Sequence, residues 1–179
     1  MHASDSIVML GLPQTDGELK MQKKLSFRLP AALFLLAFST VLLAADGPYD
    51  KAIKARQAMF QLYSFNIGIL GAMAKGERDY DADVAREAAE NLQAAANLGQ
   101  SQFWPPGSDN ATDGNARTRA LPEIWSTFPA ITEKADALKT ATAALAPVAG
   151  NGLDALKGAM GDVGASCKGC HDDFRAERK

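Results

Sequence analysis

Apolar side chains recur at intervals of three and four residues through most of the chain after residue 48. This spacing places them on one face of an α-helix, and the alternation typical of a β-strand is absent over any useful length. The same region is rich in alanine and leucine, which are strong helix formers. The pattern therefore predicts an all-α protein.

Four amphipathic helices are predicted, with glycine, proline and polar residues between them. Their approximate ranges are 49–75, 81–98, 122–145 and 152–176. The first should end near Gly76, and Asp81 or Asp83 is the expected N-cap of the second. The short links on either side of the 99–120 loop favour an antiparallel four-helix bundle.

The apolar stripe of each helix supplies the predicted core. The stripe of the first helix includes Phe60 and Tyr63, and that of the third runs through Phe128 without a break. The stripe of the fourth helix includes Cys167 and Cys170. The two cysteines are therefore expected on a face turned towards the core.

The N-terminal region resembles an export signal. From Met21 it reads as a cationic segment, an apolar run and small residues before a polar stretch, which is the pattern of a secretory signal peptide. We predict a signal at 21–45 and the bundle at 46–179, with residues 1–20 an upstream extension or a misassigned start. Because the apolar run approaches membrane-spanning length, an uncleaved anchor is the alternative. Cleavage would leave the protein in the periplasm, free of the membrane.

Charge and cysteine content narrow the possible functions. A formal net charge of -2 gives no broad basic surface, so nucleic acid is not an expected partner. The only two cysteines are three residues apart and cannot staple distant parts of a fold. Their spacing points to local chemistry.

Cys167, Cys170 and His171 form a C-x-x-C-H sequence, the pattern of covalent haem attachment. Residues three apart on a helix share a face, so each sulfur can form a thioether with one of two neighbouring vinyl groups. His171 lies about 100° further round the helix and can bind the iron. The expected cofactor is one covalently attached haem c.

Three alternatives use the same residues. A redox-active thiol pair needs a helix N-terminus or a basic setting. A structural zinc site needs four ligands, and the other histidine, His2, precedes the predicted cleavage point. A disulfide would leave the adjacent histidine unexplained. Haem attachment accounts for all three residues together.

With this motif at the end of a four-helix bundle, the chain resembles class II c-type cytochromes, and cytochromes c′ in particular. The resemblance rests on KARQAMF in the first helix, GAMAKGE at its end, LPEIW opening the third and GDVGASCKGCHDDFR in the fourth. It implies a four-helix bundle with covalently bound haem over nearly all of residues 49–179.

The same resemblance implies the surroundings of the haem. Phe60 takes the position of the distal residue, and Arg175 that of a basic residue over the proximal face. An independent argument applies to Arg56, because a guanidinium on a core stripe needs an anionic partner. The residues implied at the propionate side are Arg56 and Gln57, together with Thr118, Arg119 and Glu123 at its edge.

The resemblance implies a five-coordinate haem protein that is not an enzyme, binds nitric oxide or carbon monoxide, and exchanges single electrons with redox partner proteins. It also implies a homodimer packed through the first two helices. The alternative is a six-coordinate, low-spin electron carrier with Met59 as the sixth ligand. Met59 is adjacent to Phe60, and one residue of helix turns the side chain by about 100°.

Overall fold

A computed structural model describes residues 46–178 except positions 113 and 115. Four long helices form a closed ring, in which α1 packs against α2 and α5, and α4 packs against the same two helices. The predicted all-α, four-helix bundle is confirmed. The helices are α1 (Asp50–Lys75), α2 (Ala82–Ala96), α3 (Glu123–Ser126), α4 (Ala130–Leu145) and α5 (Leu153–Phe174), with a 3-10 turn at Ser101–Phe103.

The turn between α1 and α2 follows the sequence signals. Gly76 ends α1 with a φ of 75° and donates its N–H to carbonyls of the last turn, a conformation that glycine adopts without steric cost. Asp81 caps α2, because its carboxylate accepts hydrogen bonds of 3.0 Å from the N–H groups of Asp83 and Val84. Both predicted ends are confirmed.

The third predicted helix is wrong as a single element. It is divided into α3 and α4 around Pro129, which has no N–H to donate and restricts the residue before it. The Phe128–Pro129 peptide bond is cis. Phe128, predicted on the core stripe, is 68% exposed at this corner.

Two apolar clusters fill the interior. The main cluster joins all four long helices, and its largest fully buried apolar side chains are Leu70, Met73, Leu92, Leu145, Leu156 and Val163. The small cluster lies where α3 meets α5, around buried Ala120, Ile124 and Phe174. The α2–α3 loop (residues 97–122) supplies part of this second cluster and therefore belongs to the core.

The end of this loop pairs with the chain that follows α5. Ala176 donates its N–H to the carbonyl of Arg119 at 2.9 Å, and Leu121 donates to the carbonyl of Phe174 at 3.1 Å. These bonds fix the last turns of α5 against the start of α3. The loop and the C-terminal end of the bundle are therefore held together.

The predicted segments 1–20 and 21–45 lie outside the described residues. Among residues 46–178, with the two exceptions above, none of the helices is both long and apolar enough to cross a membrane.

Candidate cofactor site

Helix α5 carries the three motif residues in its last two turns, all of them half-buried. Cys167 packs against the main cluster, whereas Cys170 packs against the small cluster. No disulfide joins them. His171 lines a cleft of about 260 Å³ together with Arg119 and Arg175. The structure therefore brings the motif to the place where the two clusters meet.

The motif residues are held in their neutral forms. Burial lowers the pKa of His171, and the positive charges of Arg175 and Arg119 lower it further. Burial likewise raises the pKa of the Cys167 and Cys170 thiols. A neutral imidazole keeps a lone pair for a metal, whereas a reactive thiol pair needs lowered pKa values.

Phe60 lies between two aromatic rings, one from each apolar cluster. Its ring meets Tyr63 at 5.8 Å and Trp104 at 6.1 Å, in edge-on contacts. Tyr63 belongs to the main cluster, against which Cys167 packs, and Trp104 belongs to the small cluster with Cys170. Phe60 therefore sits on the α1 side of the region where the cysteines lie.

The polypeptide alone leaves the side chain of Phe60 42% exposed. Its ring contacts those of Tyr63 and Trp104, and its predicted place on the distal face of the haem remains a prediction. Met59 is only 3% exposed and belongs to the main cluster. The two adjacent side chains therefore point into different surroundings.

Arg56 is fully buried one turn before Phe60. Its Nη1 donates to the carbonyl of Phe103 at 3.2 Å and to Ser108 Oγ at 2.6 Å, and its Nη2 donates to the carbonyl of Ser108 and to Thr118 Oγ1 at 3.1 Å. The guanidinium also lies 4.7 Å from the ring centre of Trp104. Neutral oxygens of the α2–α3 loop thus satisfy a group for which the sequence predicted an anionic partner.

Burial lowers the pKa of Arg56 to about 10, against a smaller opposing effect of Asp109. That value is still well above neutral pH, so the buried guanidinium stays charged. Its contact with a haem propionate remains a prediction.

The other predicted residues lie on two sides of the motif. Gln57 is exposed and donates to the carbonyl of Arg117 in the loop. Arg119 donates through Nε to the carbonyl of Ala176 at 2.6 Å, beside exposed Arg175. Glu123 is exposed in the first turn of α3. Within the loop, Thr118 accepts a hydrogen bond from Arg56. Arg119 lines the same cleft as His171.

The sequence predicts that Phe103 and Trp104 pin the α2–α3 loop, and both pack against the apolar clusters; the parts played by Trp125 and Ser108 were not predicted. Trp104 and Trp125 contact each other at 6.4 Å, and Trp125 Nε1 donates to the carbonyl of Trp104 at 3.2 Å. Ser108 is fully buried against Arg56.

The residues present fit a covalently bound haem. Two cysteines lie three residues apart on α5, and a histidine whose pKa is lowered by burial follows them. On α1, the apolar ring of Phe60 contacts one aromatic residue from each of the clusters against which the cysteines pack. This combination meets the needs of thioether attachment with histidine as the axial ligand.

The sequence model of the family described as Cytochrome C′ matches residues 51–175. The chain belongs to the cytochrome c′ family. A cytochrome c′ of Cereibacter sphaeroides is 37% identical over 151 residues, covering 84% of this chain and 99% of that protein. The solved cytochrome c′ from Rhodobacter sphaeroides aligns with a TM-score of 0.69 and 38% identity, covering 73% of this chain and 98% of the other.

Two further cytochrome c′ structures are similar to this chain. One, with a TM-score of 0.67, 34% identity and coverage of 74% of this chain and 100% of the other, is described as having an unusual ligand-controlled dimer dissociation. Another is the nitric oxide complex of a leucine-to-alanine variant from Alcaligenes xylosoxidans, with a TM-score of 0.61, 34% identity and coverage of 72% and 95%. Cytochromes c′ carry a covalently bound haem c, and this chain is accordingly a c-type haem protein.

Proposed function

We propose that the protein is a periplasmic cytochrome c′ with five-coordinate iron, which binds small uncharged gases such as nitric oxide and carbon monoxide and transfers single electrons. The observation that carries this proposal is the position of the Phe60 ring on α1, in contact with Tyr63 of the main cluster and Trp104 of the small cluster, against which the two cysteines also pack. We assign it no enzymatic turnover.

In this proposal Cys167 and Cys170 would hold the haem by thioether bonds, and His171 would bind its iron. The haem supplies a one-electron redox centre and an open coordination position. Arg56 and Gln57 lie on α1 and extend into the α2–α3 loop, where they would meet the propionates. Arg175 would cover the histidine side, and Arg119 would lie beside it.

The α1 side of the site offers an apolar surface. The phenyl ring of Phe60 has no lone pair that could bind a metal, so it leaves a ligand position to molecules small enough to share the space with it. Charged ligands would lose hydration there without gaining a partner. Nitric oxide binding by a similar cytochrome c′ variant supports the same use of the site.

The rival function, a six-coordinate electron carrier with Met59 as ligand, is disfavoured by the packing of Met59. Its side chain is 3% exposed and fills part of the main cluster. Turning it towards the site would leave a cavity in that cluster, at a cost of about 2–5 kcal/mol for a side chain of this size.

Two variants at adjacent positions test this assignment. Met59→Leu conserves volume and should leave the absorption spectrum of the holoprotein high-spin. Phe60→Met places a thioether where the ring now lies and should convert the spectrum to low-spin by adding a sixth ligand. Absorption spectra of the ferric and ferrous holoproteins measure both.

The rival function makes the opposite prediction. A low-spin wild-type protein that becomes high-spin in Met59→Leu would overturn the proposal. In the Phe60→Met variant, a spectrum that stays high-spin would show that position 60 does not face the iron.

The periplasmic location rests on the export signal predicted at 21–45 and on the attachment of haem c outside the cytoplasm. We also propose a homodimer formed through α1 and α2. Leu62 and Phe65 lie three residues apart on one face of α1 and are exposed. A ligand-controlled dimer in a similar cytochrome c′ supports this assembly.

A further inference from the structure

Trp104 is the residue of the α2–α3 loop whose ring meets Phe60. The two ring centres are 6.1 Å apart and the ring planes are inclined by 70°. This is the edge-to-face geometry that aromatic pairs prefer. The contact joins the apolar side chain of the proposed gas site to a loop that belongs to a different part of the chain.

Trp104 is held from two further directions. The guanidinium of Arg56 lies 4.7 Å from its ring centre, within the range of a cation–π interaction. Trp125 packs against it at 6.4 Å and donates Nε1–H to its backbone carbonyl at 3.2 Å. Three contacts therefore hold Trp104: the guanidinium of Arg56 over its ring, the ring of Trp125, and the hydrogen bond from Trp125 to its backbone carbonyl.

The Arg56 guanidinium that contacts Trp104 is itself held in the core. Arg56 is fully buried, and its guanidinium is bound to Ser108 Oγ at 2.6 Å and to the adjacent carbonyl of Phe103 at 3.2 Å. Movement of the indole away from Phe60 would break its contact with this anchored guanidinium. Trp104 is consequently held in one position beside Phe60.

The Phe60 side chain has few conformations open to it beside Trp104. An aromatic side chain in a helix adopts two χ1 wells, and the third drives it into the preceding turn. Tyr63, which is buried, limits the ring on one side at 5.8 Å, and Trp104 limits it on the other. Displacement of Phe60 therefore requires loss of at least one aromatic contact.

We propose that Trp104 is a positioning residue that restrains Phe60 and thereby sets the rate at which a gas reaches the site. This inference rests on the proposed function, because it requires gas to bind on the Phe60 side. It assigns Trp104 no contact with the gas: the residue acts through the mobility of its neighbour.

The test is the rate of carbon monoxide association with the ferrous holoprotein, measured by stopped-flow absorbance. Trp104→Ala should raise the association rate about threefold to tenfold, the range that corresponds to one lost aromatic pair. Trp104→Leu keeps an apolar side chain in the loop and should change the rate in the same direction. Trp104→Phe retains a ring edge and should stay near the wild-type rate.

A double-mutant cycle separates positioning from general loosening of the loop. In a Phe60→Ala background the restrained ring is gone, so adding Trp104→Ala should have no further effect on the association rate. Urea unfolding of the same four proteins reports the structural cost independently. A purely structural role would lower stability and leave the two effects on rate additive.

Three outcomes overturn the inference. Unchanged association in both Trp104→Ala and Trp104→Leu shows that the indole does not restrain Phe60, and additive effects in the cycle show that it acts by another route. Both leave the proposed function intact. A wild-type protein that binds no carbon monoxide overturns the proposed function and the inference together.

Discussion

Arg56 anchors the α2–α3 loop on α1. It is a buried cation, and within the described part of the chain its hydrogen bonds go to loop oxygens of Phe103, Ser108 and Thr118. Burial of a charge in this way is tolerated when its donors are paired. The side chain therefore fixes the loop that carries Trp104 onto α1.

Removal of this guanidinium should lower the free energy of unfolding. Arg56→Ala leaves buried acceptors of the loop without a donor, and we expect a loss of about 2–4 kcal/mol in urea unfolding of the holoprotein followed by circular dichroism. The matched control is Lys54→Ala on the same helix, which removes an exposed ion pair to Asp46. It should cost less than about 1 kcal/mol.

Equal stability losses in the Arg56 and Lys54 variants would contradict this account of the loop. A loss at Arg56 with normal haem content would also show that anchoring of the loop is separable from its predicted contact with the propionates.

Adjacent residues on α1 show how far sequence reasoning reaches at this scale. A step of about 100° per residue separates Met59 from Phe60, and the structure places Met59 in the main cluster and Phe60 at its edge. The different directions could be predicted from periodicity. The contact of Phe60 with Trp104 could not, because Trp104 belongs to a distant loop.

At the scale of secondary-structure elements, the helix ends that are marked by capping residues could be predicted from the sequence. Gly76 and Asp81 act through their own backbone and side-chain geometry, which sequence reveals. The division of α3 from α4 also has a local cause in Pro129, but the continuous apolar spacing from Ile124 to Leu138 concealed it. Apolar periodicity shows which side chains share one face of a helix, but it does not show that proline lacks the backbone N–H that a continuous helix needs.

The α2–α3 loop is the element that sequence predicted least well. Its proline, glycine and asparagine content indicates irregular backbone. Its anchoring depends on contacts across large sequence separations, such as the bond from Arg56 to Ser108 and the pairing of Arg119 with Ala176. Such pairings follow from the bundle as a whole, which positions α1 and the end of α5 on either side of the loop.

For the whole molecule, the exposed face of α1 predicts assembly. Phe65 is 68% exposed, and Phe65→Glu should shift the dimer to monomer by weakening association by at least roughly 2 kcal/mol, the scale of an interface hot spot. Phe128 at the α3–α4 corner is equally exposed and provides a matched control. Sedimentation velocity should show a dimer for Phe128→Glu.

A monomeric wild-type protein would contradict the proposed assembly. The same would hold if Phe128→Glu dissociated the protein and Phe65→Glu did not, because the interface would then lie at the other side of the bundle.

The central claim is that the site between Phe60 and His171 is open to small gases. The absorption spectrum of the ferrous wild-type holoprotein, recorded before and after addition of carbon monoxide, tests it most directly. We predict a high-spin spectrum that changes to that of a carbon monoxide complex. A low-spin spectrum that the gas leaves unchanged would contradict the account.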